Sequence, residues 1–99
     1  MTNVTFDEVV AALLASKRSI RCDELAGQLT RLGFEVREGK RGGHRIYVHD
    51  GLPDFTSSSY NCGHGHNPEI KPAYISNVLR ILSQHEAEIV KYLETRNEH

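Results

Sequence analysis

Residues 42–49 read Gly-Gly-His-Arg-Ile-Tyr-Val-His. A glycine pair delivers His44 to the start of a short apolar run, with Lys40, Arg41 and Arg45 around it. An imidazole, with an unperturbed pKa of ~6.5, carries a proton in either direction at neutral pH. Flanking cations hold phosphate, and arginine does so bidentately. The combination points to chemistry on a polyanion, RNA foremost. RNA brings its own nucleophile, the 2′-hydroxyl. A protein need only remove that proton, stabilise the developing charge and protonate the leaving oxygen. His44 serves as the base or as the acid. Tyr47 either stacks on an unpaired base or packs at the edge of a sheet. His49 is either a second proton carrier or a solvated strand residue. Alternation puts His44, Ile46 and Val48 on one strand face, and Arg45, Tyr47 and His49 on the other. If Ile46 and Val48 enter the core, His44 follows them unless the strand end or the glycine pair turns it out.

A second cluster is Cys62-x-His64-x-His66. Three borderline ligands could begin a zinc site, but the second ligand pair of a structural site does not follow. No metal or cofactor is expected. The simpler role is a glycine-rich loop beside the RNA path, where His64 or His66 assists. Cys22 and Cys62 are too few for a disulfide scaffold, and the expectation is two free thiols in a reducing cytoplasm.

The elements that must position these groups follow from periodicity. Phe6, Val9, Val10, Leu13 and Leu14 make one helical face over about residues 6–16, with Thr5 and Glu8 as a capping box. Leu25, Leu29 and Leu32 mark a second helix over about 23–32, stopped by Gly33. Residues 34–38 alternate as a strand, 39–43 are a glycine-rich loop, and about 44–49 form the partner strand of a hairpin. A polar third strand is expected over about 55–60. Pro72 opens a helix whose apolar face runs continuously to about residue 95. The order α-α-β-β-β-α predicts an α+β domain, a three-stranded antiparallel sheet with helices on one face.

Ninety-nine residues predict a single domain. Nothing approaches the ~20 apolar residues of a membrane span, and the N-terminus does not read as a secretory signal. The net charge is −1, unevenly spread. Residues 17–49 hold eight bases against four acids, a basic island of the kind that marks a polyanion-binding face or simply lines solvated helices and loops.

Taken together, Asp23-Glu24-Leu25, Leu32-Gly33-Phe34-Glu35-Val36, Gly42 to His49, Lys71-Pro72-Ala73-Tyr74-Ile75 and Val78-Leu79-Arg80-Ile81-Leu82 resemble HicA-like toxins, small prokaryotic mRNA interferases of type II toxin–antitoxin pairs. The resemblance covers roughly residues 20–84 and rests on the order and spacing of short motifs. It implies a double-stranded-RNA-binding-like α-β-β-β-α core, flanked by helical extensions at 1–19 and 85–99. It implies RNA cleavage with the motif histidine, here His44, at the active site. Joined to the residue reading above, the expectation is metal-independent cleavage of single-stranded message with Lys40, Arg41, Gly42, Gly43, Arg45 and Tyr47 on the RNA. It also implies neutralisation by a HicB-like antitoxin. Gly43 departs from the serine usual in that family, removing a hydroxyl beside the histidine. The apolar residues of the extensions pack on each other, form a homodimer or meet the antitoxin. The competing expectations are a non-catalytic RNA- or protein-binding domain of the same fold and a metal-binding regulatory module.

Overall fold

The structure, a computed structural model, describes residues 3–40, 42–63 and 65–97. Helix α1 (Val4–Ala15) starts earlier than its apolar stripe suggests, because Asn3 and not Thr5 is the cap: its Oδ1 accepts the Phe6 N–H at 3.1 Å. Phe6, Val9 and Leu13 are buried, while Leu14, on the expected face, is left outside. Helix α2 (Cys22–Arg31) buries Cys22, Leu25 and Leu29, and Glu24 accepts the Arg21 N–H at its start. Gly33 ends it at φ +93°, and a side chain there would run into the ring of Tyr92.

Strands β1 (Glu35–Glu38), β2 (His44–Val48) and β3 (Ser58–Asn61) form an antiparallel meander in that order. Val36 pairs with Tyr47 and Tyr47 with Ser58, while Arg37 pairs with Ile46 and Ile46 with Ser59. The register decides the parity question. Tyr47 and His49 face the helices and are buried, and His44, Ile46 and Val48 stay half-exposed on the other face. The physical reason is ring area. Phe34, Tyr47, Phe55 and Tyr60 make an aromatic cluster with centroids 5.6 to 6.1 Å apart, and such rings bury more surface than Ile46 and Val48 would. The third strand begins later than expected because Phe55 turns into this cluster and its N–H bonds back to the Leu52 carbonyl.

The C-terminal helix is not continuous. α3 (Pro72–Gln84) and α4 (Glu86–Asn97) meet at His85, whose ring sits edge-on to Phe55 at 5.6 Å and contacts Glu88 at 3.3 Å. Beyond the break, α4 lays Tyr92 against His49 at 4.6 Å between ring centroids and buries Ile89, Val90 and Leu93. Those residues share one apolar cluster with Phe6, Val9 and Leu13, so both terminal helices cover the common core. The protein is thus α+β, a three-stranded antiparallel sheet with four helices. No described helix is long and apolar enough to cross a membrane.

The cysteines overturn the free-thiol expectation. Cys22 and Cys62 form a disulfide with Cα atoms 5.5 Å apart. Their 40-residue separation hides the fact that the meander returns the end of β3 to the start of α2.

Candidate functional site

The β1–β2 hairpin, the N-terminus of α2 and the loop after β3 enclose a polar cleft of about 230 Å³. The hairpin builds its wall from backbone. The Gly39 N–H donates to the His44 carbonyl, and the Gly43 carbonyl accepts the Cys62 N–H. Gly43 lies at φ +85°, and a Cβ there would come within 2.6 Å of the Gly63 carbonyl oxygen. Backbone conformation and space both oppose a serine at this position. Gly39 has no side chain for a related reason: the His44 ring lies where its Cβ would be. His44 is therefore seated on peptide at the start of β2, half-exposed, and lines the cleft.

Around it stand Lys40, exposed at the mouth, and Arg45, whose side chain is 24% exposed and points 3.8 Å from Asp23 Oδ1. Arg45 comes from the inner strand face together with Tyr60, whose hydroxyl pKa is pushed up to about 12 by burial. Arg41 lies outside the described residues. The cleft carries charge of both signs, since Asp23 and Glu38 also line it. Much of the basic island is spent elsewhere: Arg31 pairs with Glu8, Arg37 with Glu35, and Arg21 donates to the Asn67 carbonyl.

Two expected site residues are inside the protein. Tyr47 is fully buried in the aromatic cluster, so it is a packing residue and not a stacking platform for a base. Its hydroxyl, like that of Tyr60, is buried without a hydrogen-bond partner among the described residues, and burial raises the Tyr47 pKa above the ordinary tyrosine value. His49 is 5% exposed. Its Nδ1 accepts the Gly51 N–H at 3.0 Å, which leaves Nε2 to donate to the Leu32 carbonyl at 2.8 Å. Both nitrogens are engaged in holding the β2 exit to the end of α2, so His49 is neither a proton carrier at the cleft nor a solvated strand residue. His66 is exposed on the loop beside the cleft, and His64 lies outside the described residues. The sulfur of Cys62 is bonded to Cys22, which removes it from the Cys-x-His-x-His ligand set.

Sequence reasoning missed Asn67. Its backbone is in the left-handed region at φ 53°, which asparagine tolerates better than most side chains. Its Oδ1 accepts the Asp23 N–H at 2.9 Å and so caps α2 from 44 residues away. The Cys22 N–H donates to the Pro68 carbonyl in the same place. With the disulfide, these bonds fix the far wall of the cleft to the helix. The available signal was Asn67-Pro68 closing a glycine-rich run.

The arrangement can present one imidazole and one or two cations to a phosphate held against peptide. No protein-family model matches the chain, and neither the curated proteins nor the solved structures contain a significant match.

Proposed function

We propose that this chain is a HicA-like RNA-cleaving toxin, with roughly residues 20–84 forming its double-stranded-RNA-binding-like core and His44 its proton carrier. One observation carries the reading: of the described histidines, His44 is the one that lines the polar cleft, seated on Gly39 and flanked by Lys40 and Arg45. The order α2-β1-β2-β3-α3 is the order that the resemblance leads one to expect. In this reading the 2′-oxygen of a single-stranded message bonds to the adjacent phosphorus and the bond from phosphorus to the 5′-oxygen breaks. His44 takes the 2′-hydroxyl proton or supplies one to the leaving 5′-oxygen, solvent water carries the other transfer, and Lys40 and Arg45 offset phosphate charge. The protein acts in the cytoplasm, with a HicB-like antitoxin as its protein partner.

A second reading is favoured by the Arg45–Asp23 pair. An arginine already facing a carboxylate binds phosphate less readily, as in a non-catalytic RNA- or protein-binding domain of the same fold. Inducing the wild-type chain and His44→Ala in a bacterial host separates the two. Growth arrest with loss of total RNA only in the wild type supports the toxin. Normal growth with both proteins folded and abundant supports the binding domain.

A further inference from the structure

A second cleft, of about 240 Å³, lies on the other side of the segment that follows β3. Gly42, Cys62 and Gly63 line both clefts, so the divide between them is largely peptide backbone. The far side is lined by Asn61, Glu69, Lys71 and Tyr74. Asn61 is the register partner of His44 across β2 and β3, and its Oδ1 is fixed by the Gly63 N–H at 2.8 Å. The amide group therefore has its two N–H donors to offer. Tyr74 is half-buried, its ring packed on the core, and Lys71 is exposed. These are the parts of a nucleotide subsite: an aromatic edge, an amide, a carboxylate and a cation. The Glu69 carboxylate opposes a lone phosphate but accepts from an exocyclic amine, which selects a base with its backbone over an inorganic anion.

Building on the RNA reading above, we propose that the second cleft holds the neighbouring nucleotide of a single-stranded RNA that crosses the Gly42–Gly63 saddle from the His44 cleft. The open edge of Tyr74 packs against its base and Lys71 meets its phosphate. The two clefts define the path of the strand, and either polarity satisfies it.

The test uses 2′-O-methyl oligoribonucleotides, which lack the nucleophile and so report binding alone, a dinucleotide and a hexamer, measured by fluorescence anisotropy over a salt series. Lys71→Gln should weaken hexamer binding and lower the dependence of log K on log salt by about one. Tyr74→Leu, which keeps an apolar group on the core, should weaken the hexamer at least about fivefold. Lys71→Gln should not change the dinucleotide, which carries a single internucleotide phosphate, whereas Lys40→Gln should weaken both. Hexamer binding unchanged by Lys71→Gln and Tyr74→Leu but weakened by Lys40→Gln overturns the path and leaves the His44 cleft standing. Wild-type protein that binds neither oligomer overturns the RNA reading and this path with it. Lys71 is exposed, so Lys71→Gln decides the matter even if Tyr74→Leu fails to fold.

Discussion

Reducing the Cys22–Cys62 disulfide should cost this protein a large part of its stability. The bond joins residues 40 apart in sequence, and both cysteines are almost fully buried. In the chain-entropy account, a cross-link over a loop of that length removes about 4 kcal/mol of conformational freedom from the unfolded chain. A domain of this size is stable by only about 5–15 kcal/mol in total. With a urea dependence of about 1.5 kcal/mol per molar, the midpoint should fall by roughly 2 to 3 M on reduction. The measurement is urea unfolding followed by far-UV circular dichroism, with and without a phosphine reductant. The double variant Cys22→Ala, Cys62→Ala serves as the control and should match the reduced protein to within the cost of two small cavities. Thiol titration of the folded, unreduced protein should find neither cysteine reactive. Coincident midpoints, or two titratable thiols in the native protein, would refute the reasoning. The outcome also bears on cellular location, since glutathione keeps most cytoplasmic thiols reduced. A toxin working there would operate close to the reduced curve.

Four other substitutions or conditions test the site and its frame. His44→Ala should abolish RNA cleavage while changing the unfolding free energy by no more than about 0.5 kcal/mol, because the ring is half-exposed. His49→Ala should instead destabilise by about 2–4 kcal/mol in the same unfolding assay, since it leaves the Leu32 carbonyl and Gly51 N–H without their partner and empties a buried site. Gly43→Ser should not restore a family-like site; strain and the clash with the Gly63 carbonyl should cost roughly 1–3 kcal/mol and loosen the cleft, read as a lower midpoint and faster amide exchange at Cys62. At alkaline pH the folded phenol of Tyr60, pushed up to about 12, keeps its proton when the same group in the unfolded chain has lost it. Its contribution to stability is therefore full below pH 10 and drains as pH rises toward about 12. Tyrosinate absorbance should show this group ionising only as circular dichroism reports unfolding.

The parts of the fold that depend on neighbouring residues were legible in the sequence. Leu25, Leu29 and Gly33 placed α2, Pro72 opened α3, and the glycine loop between two alternating runs gave the hairpin with His44 at its exit. What stayed hidden depends on distant residues. Strand parity was a contest between Ile46 with Val48 and Tyr47 with His49, decided by rings contributed from Phe34, Phe55 and Tyr60. The helix break at His85 has no glycine or proline to announce it and is accompanied by contact with Phe55, thirty residues earlier in the chain. Capping of α2 by Asn67 and the Cys22–Cys62 bond both need the meander to be folded before they can be seen. Of the candidate site, His44, Lys40 and Arg45 are together at the cleft, while Tyr47 and His49 belong to the core. Both sets come from one short stretch of chain, and period-two alternation is what divides His44 from Tyr47 and His49.

The glycine at the saddle also supplies a handle. Gly42 lines both clefts, its φ is not in the left-handed region, and a Cβ built there meets nothing within 4 Å. It is an exposed position with open space beside its backbone, at the rim the two clefts share. A leucine introduced at Gly42 would act as a plug, filling the crossing point while touching none of the bonds that hold the hairpin, the disulfide or the α2 cap. Such a plugged protein would keep its full melting behaviour and every charge, yet present two disconnected hollows instead of one continuous track. Occupancy of the surface could then be separated from integrity of the scaffold by a single residue, a separation that substitutions of His44 or its cations do not provide.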